Sequence, residues 1–386
     1  MSAGGTAGTG SGSGRLSAAT RKALGAVTAC SNTISRGLRT LRKLRSCSEA
    51  LAAAQRTRVG TSQCDVVYQS GTHRLLRYRR ASPALWAQPV LICYALINRP
   101  YILDLQPEKS VVRQLLAGGF DVYMIDWGTP SHADRFLTLE HYVCGFLAAS
   151  VEVILRTHGG ETLHLLGYCM GGTMAAIFSA LNPDAVQSLT LLAAPIDFSG
   201  RESLLNVWTD PACFDVDAFL DAQGNCPAWF LQLCFQNTRP IQNSLEKNLS
   251  LFANIEDPRF LANYYAMELW VNDNIPMAGE TFRQFVKDLY QNNRLARNEL
   301  RVGSRRVDLG RITCPLMLLM AKNDHLVPPA STQGILPHVR GTDVESVLVE
   351  AGHVGLVVGG KAQRSTWPMA TRWLADRSTS SEKQAS

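Results

Sequence analysis

A chain of 386 residues, 46% hydrophobic and with a mean hydropathy of −0.03, can bury a large core and suits one elaborated domain. No apolar run approaches the roughly 18–20 residues of a membrane span, so no transmembrane segment is expected. The formal charge of +6 is unevenly placed: residues 1–63 carry ten Lys and Arg against the single acid Glu49, leaving 28 bases against 31 acids in the rest of the chain.

A basic extension therefore precedes a near-neutral body. Residues 1–14 are Gly, Ser, Thr and Ala after the Met, a composition too poor in apolar side chains to order itself. In residues 15–58 the spacing of Leu38, Leu41 and Leu44 beside Arg39, Arg42 and Arg45 suits a basic amphipathic helix. Three readings stand side by side: a solvated tail, a helix that binds an anionic partner or surface, and an organelle transit peptide. No recognised nucleic-acid module is present, and no nucleic-acid partner is expected. The ten cysteines include no Cys-x-x-Cys pair, which argues for a reduced, cytoplasm-like compartment rather than a disulfide framework.

The globular pattern starts at residue 64. Leu75-Leu76-Arg77-Tyr78 reads as a leading strand, and Pro89-Val90-Leu91-Ile92-Cys93-Tyr94-Ala95 as a strand buried on both faces. A helix is expected over 108–117, ended by Gly118-Gly119, then a strand over 120–125 that delivers Asp126. A helix over 141–158 leads to a strand over 162–167, and another strand follows over 188–194. Strands alternating with helices of this length predict an α/β fold with a mainly parallel, doubly wound sheet. Residues 199–300 break the rhythm: Trp208, Trp229, Trp270 and many Phe and Tyr occur there without a strand series, as expected of a helical cap insertion. The rhythm resumes with a strand over 314–321 and a last one over 345–350, and a closing helix over 366–376 precedes a polar tail. The expected organisation is thus an extension (1–63), a core (64–198 and 301–377), a cap (199–300) and a tail (378–386).

The chemistry centres on Gly167-Tyr168-Cys169-Met170-Gly171. A short apolar strand, a Gly-x-Cys-x-Gly turn and a small-residue helix make the nucleophile turn of the α/β-hydrolase fold, with Cys where Ser is usual. The apex residue is strained, and its neighbours two positions away must be nearly free of side chain for strand and helix to pack. Downstream, Asp324 and His353 each follow a predicted strand directly, so nucleophile, acid and base occur in the order this fold requires. His353 would take the Cys169 proton, and Asp324 would hold the imidazole tautomer. His325, adjacent to Asp324, is a rival base poorly placed to use that carboxylate, and reads as a loop residue. Asp126 precedes the nucleophile and reads as structural. The backbone N–H groups of Asn98, in the loop after the second strand, and Met170, next to the nucleophile, are assigned to the oxyanion hole; Asn98 also suits a turn before Pro100. A thiol nucleophile exchanges one thioester for another at little cost and leaves the acyl group activated towards a hydroxyl, which favours acyl transfer over hydrolysis.

The segments Tyr94-Ala95-Leu96-Ile97-Asn98-Arg99-Pro100-Tyr101-Ile102-Leu103-Asp104-Leu105, Ile125-Asp126-Trp127-Gly128, Gly167-Tyr168-Cys169-Met170-Gly171-Gly172, Asn323-Asp324-His325-Leu326-Val327-Pro328 and Gly352-His353-Val354-Gly355 together resemble polyhydroxyalkanoate (poly-3-hydroxybutyrate) synthase over residues 64–376. The resemblance implies polymerisation of (R)-3-hydroxyacyl-CoA, such as 3-hydroxybutyryl-CoA, with release of CoA. Cys169 would carry the growing chain, His353 would act as general base, and Asp324 would help activate the incoming hydroxyl. No metal or redox cofactor is implied, coenzyme A being part of the substrate and a product. The chain is similar to the short catalytic subunit of the two-subunit type, which implies a second, non-catalytic subunit, action at the surface of cytoplasmic polyester granules, and allows a homodimer. Its basic N-terminus departs from that pattern. The alternatives are a Cys-dependent thioesterase, esterase or lactonase on the same fold, and a non-catalytic granule-binding protein.

Overall fold

The computed structural model describes Ala52 and residues 56–200, 203–238, 247–339 and 343–381. Most of the basic extension and the last five residues lie outside these, and with them the amphipathic pattern of Leu38, Leu41 and Leu44.

Eight strands form one sheet: β1 (Cys64–Ser70), β2 (His73–Tyr78), β3 (Val90–Cys93), β4 (Val122–Asp126), β5 (Leu163–Tyr168), β6 (Val186–Leu192), β7 (Leu316–Ala321) and β8 (Val344–Val349). Their spatial order is β1-β2-β4-β3-β5-β6-β7-β8. Pairing is parallel from β4 through to β8, whereas β2 is antiparallel to both β1 and β4. β1 is mostly exposed at the sheet edge, which is why no apolar pattern announced it.

The central strands have no polar face because both faces are covered. Side chains alternate between two cores: Leu163 and Leu165 of β5 enter one, and Leu166 and Tyr168 the other. β7 does the same, with Leu316, Leu318 and Met320 against Met317, Leu319 and Ala321. Each such Leu or Met contributes about 1.5–3 kcal/mol on burial, so the register of these strands is set by core filling rather than by loops.

The connecting helices are α1 (Val111–Ala117), α2 (Ala148–His158) and α3 (Met170–Leu181). α1 starts later than the expected 108–117: Lys109 and Ser110 pair in a short ladder with Gln106 and Asp104, and the Ser110 hydroxyl accepts the Arg113 N–H at 3.0 Å, capping the helix. The expected helix over 141–158 begins as a π-helical segment, His141–Leu147, before α2.

Between β6 and β7 the described residues include the helices α4 (Leu204–Trp208), α5 (Val216–Gln223), α6 (Ala228–Asn237), α7 (Lys247–Ala253), α8 (Pro258–Asn272) and α9 (Gly279–Gln284), followed by a short antiparallel ladder of Arg301–Val302 with Arg305–Arg306. Asp215 and Asp257 start α5 and α8 by accepting two backbone N–H groups each. No described helix is long and apolar enough to cross a membrane. Past β7 come α10 (Pro329–Gln333), α11 (Gly355–Val358) and α12 (Trp367–Ala375).

Both ends of the described chain are tied down. Ser62 donates to Asp104 from its backbone and its hydroxyl, at 2.8 and 2.7 Å. Ser378, placed in the tail by the sequence pattern, bonds the buried His164 at 2.8 Å, and Thr379 accepts the Ala87 N–H at 2.9 Å. Two polar residues thus tie the chain after α12 to β5 and to the segment before β3, a role their composition does not reveal.

Glycine is required where α3 meets the sheet. A Cβ on Gly171 would lie 2.2 Å from the Cys93 carbonyl oxygen, and one on Gly172 would lie 2.3 Å from the Ala194 Cβ. The Cys93 contact is with backbone that cannot swing away. Gly171→Ala is expected to cost about 1–3 kcal/mol or more in urea unfolding. A stability equal to wild type would show that β3 and α3 are not packed this closely.

Candidate active site

Cys169 joins β5 to α3 with φ 54° and ψ −128°, a conformation L-residues avoid. Its neighbours enforce it. The Cys169 N–H donates to the Leu192 carbonyl at the end of β6 at 3.0 Å, and its own carbonyl accepts the Gly172 and Thr173 N–H groups at 2.8 and 3.3 Å. The thiol therefore stands at the C-terminal edge of the sheet and the N-terminal end of a twelve-residue helix, whose dipole favours an anion there.

Asp324 and His353 reach it from the loops after β7 and β8. Those loops are stitched together by Lys322 N–H to the Val349 carbonyl at 2.9 Å and Asn323 N–H to the Ala351 carbonyl at 3.0 Å. The His353 Nδ1–H donates to Asp324 Oδ2 at 2.7 Å. Asp324 Oδ1 accepts the Leu326 and Val327 N–H groups, both at 2.9 Å, so the buried carboxylate is satisfied on both oxygens. With Nδ1 engaged, Nε2 is the ring nitrogen left for Cys169, which is near enough to act on the imidazole. Burial opposes a charge on His353, but the Asp324 carboxylate and the neighbouring Cys169 outweigh it and push the imidazole up to about 10.

Tyr168, which sequence reasoning passed over, lies under the base: its ring stacks on His353 with centroids 5.2 Å apart and planes at 27°. The signal was available, since strand alternation turns residue 168 towards the face opposite Leu165.

A cavity of about 620 Å³ opens above these groups, with Asn98, Cys169 and His353 on its floor and Phe235 of α6 and Trp270 of α8 among its cap residues. Asn98 is buried with φ 63°, in the left-handed region that Asn tolerates, and its side-chain N–H donates to the Trp270 carbonyl at 3.3 Å. Met170 is the first residue of α3. His325 also lines the cavity, with Nε2 3.4 Å from the Thr238 hydroxyl, while Asp324 is turned to His353 instead. Asp126 lies elsewhere, paired with Arg74 and accepting the Gly128 N–H at 2.9 Å. Among the described residues no three His, Cys, Asp or Glu side chains converge as metal ligands.

Residues 88–359 match the family model described as alpha/beta hydrolase fold, and the parallel sheet with its nucleophile turn makes this an α/β-hydrolase-fold protein. Residues 30–115 match the model of the poly-beta-hydroxybutyrate polymerase (PhaC) N-terminus. The poly(3-hydroxyalkanoate) polymerase subunit PhaC of Allochromatium vinosum is 39% identical over 338 residues, covering 87% of this chain and 95% of that protein. The corresponding Synechocystis protein is 41% identical over 83% of this chain and 86% of its own length. That of Haloferax mediterranei is 42% identical over 83% of this chain, which spans 65% of its length. The chain belongs to the PhaC family of poly(3-hydroxyalkanoate) polymerases.

The two opposing influences on His353 can be separated. Asp324→Asn removes the larger of the two upward pushes and leaves burial opposed by Cys169 alone, so the imidazole value falls from about 10. Imidazole NMR titration of wild type and variant reads this directly. An unchanged value would mean that Asp324 does not set the charge of His353. The sign carries over to stability: the folded value lies above the unfolded one, so the contribution is full below pH 6.5 and is lost as pH rises through about 10.

Proposed function

We propose that this chain polymerises (R)-3-hydroxyacyl-CoA to polyester with release of CoA, through an acyl intermediate on Cys169. The observation that carries the reading is the Cys169–His353–Asp324 line-up beneath a cavity roofed by the cap, in a chain of the PhaC family. The cavity volume lies in the range of about 300–1,000 Å³ usual for small-molecule sites.

His353 accepts the Cys169 proton and the thiolate adds to the thioester carbonyl, whose oxygen takes the negative charge. The N–H groups of Asn98 and Met170 receive that oxyanion. Collapse breaks the bond to the CoA sulfur, which leaves with the proton held by His353, and Cys169 carries the acyl group. The 3-hydroxyl of a second unit then attacks this thioester. Its proton passes to His353 and on to the departing Cys169 sulfur, so the chain is joined to a unit that still bears CoA. Attack of Cys169 on that thioester frees CoA and restores the cycle one unit longer. Only acyl groups and protons move, so the chemistry calls for neither metal nor redox cofactor. Asp324 holds the imidazole tautomer throughout; its oxygens are committed to His353 and two backbone N–H groups, which supports an orienting role.

The cap supports transfer over hydrolysis, because an acyl-enzyme must be kept from water until a hydroxyl arrives. The relatives' description as a subunit supports a second, non-catalytic chain as partner. An insoluble polyester product supports action at a granule surface in the cytoplasm.

Cys169→Ala is expected to abolish CoA release from 3-hydroxybutyryl-CoA, measured by thiol appearance with and without added partner subunit. Near-normal turnover would sink the assignment of the nucleophile. Wild-type product decides the reaction: insoluble polyester is expected, and free 3-hydroxy acid alone would make the protein a Cys-dependent hydrolase.

A further inference from the structure

The loop leaving β3 and the C-terminal end of the cap helix α8 are 171–174 positions apart in sequence, yet four hydrogen bonds join them. Two are reciprocal. The Trp270 indole N–H donates to the Arg99 carbonyl at 2.9 Å, and the Trp270 carbonyl accepts the Asn98 side-chain N–H at 3.3 Å. The other two converge on Asp273, the residue that ends α8: Tyr101 Oη donates to one carboxylate oxygen at 3.0 Å and Arg99 Nε to the other at 3.4 Å. Burial, reinforced by the Asp273 carboxylate, pushes the Tyr101 phenol up, so it remains a donor across the working pH range.

The residue so enclosed, Asn98, holds φ at 63°, a left-handed conformation that Asn tolerates and that its surroundings select. The core side supplies Pro100, which fixes the exit of the loop into the 3₁₀ turn Pro100–Leu103. The cap adds the four hydrogen bonds above. Arg99 also donates to Thr129 at 2.9 Å, which ties the same loop to the chain after β4.

We propose that Trp270 and Asp273 are positioning residues for catalysis: by holding Arg99, Tyr101 and the Asn98 side chain, the cap keeps the Asn98 backbone N–H where an oxyanion forms on Cys169. This rests on the oxyanion role of Asn98 in the acyl transfer proposed above. The cap then completes the catalytic floor as well as covering it. A cap helix displaced from the loop would leave the triad intact and the oxyanion hole unset. Asp324 and His353 are held by the β7 and β8 loops, none of whose described hydrogen bonds runs to Trp270 or Asp273.

The test uses the full chain with two substitutions of different kind. Trp270→Phe keeps an aromatic ring in the cavity wall and removes the indole donor; Asp273→Ala removes the paired acceptor at a residue that does not line the cavity. The single-turnover burst of p-nitrophenol from p-nitrophenyl butyrate reports acylation of Cys169 whatever the natural acceptor. Each variant is expected to slow the burst roughly tenfold to hundredfold, with kcat falling more than KM. The pH profile of Cys169 alkylation by iodoacetamide should stay that of wild type, because the triad is untouched. The double variant should be no slower than the slower single one, since both act through one loop. Unchanged bursts in both single variants would overturn the proposal, as would alkylation falling in step with acylation or the absence of any burst in wild type. Failure of the polymerase reading looks different: a normal wild-type burst with no CoA released from 3-hydroxybutyryl-CoA.

Discussion

The backbone at Cys169 is the constraint on which the site depends. A side chain at φ 54° and ψ −128° is lifted off the end of β5 instead of continuing along the strand or lying against the helix. That geometry costs about 1–3 kcal/mol and must be imposed from outside. Glycines do so by letting other backbone in: Gly167 faces Gly172, Gly171 lies on the Cys93–Tyr94 backbone, and Gly172 abuts Ala194. The four central strands, buried on both faces, are the stiff frame against which the turn is pressed. A looser sheet would let the turn relax and lower the sulfur out of reach of the imidazole.

The charged partners follow from the same frame. An aspartate and a histidine buried together are a liability unless every lone pair and proton finds a partner. Here the carboxylate is met by two N–H groups and the imidazole, the imidazole by Asp324, Cys169 and the face of Tyr168. The result is an imidazole held rigidly between a carboxylate and a thiol. Nothing in this arrangement distinguishes a hydrolase from a transferase. The fold alone does not carry that distinction, since one fold serves many chemistries.

Much of the core was legible because its signals are local. A strand buried on both faces is a continuous apolar run, a nucleophile turn needs small residues at set offsets, and each candidate catalytic residue follows its strand directly. The misses have equally physical causes. β1 is exposed at the edge and carries no burial pattern. The helix expected from residue 108 was shortened by a serine that caps it and by pairing with a segment that propensity does not register. Ser378 and Thr379 look like tail, and only the folded chain gives them His164 and Ala87 to bond.

Residue types and their order determined by themselves that this chain would form a parallel sheet with a thiol, a carboxylate and an imidazole at its C-terminal edge, since strand periodicity and turn stereochemistry act over a few positions. The tertiary structure alone decided which nitrogen of His353 Asp324 engages, that Tyr168 lies beneath that ring, and that Trp270 and Asp273 grip the loop carrying Asn98. Those contacts join residues far apart in sequence, and their geometry exists only once the sheet and the cap have packed.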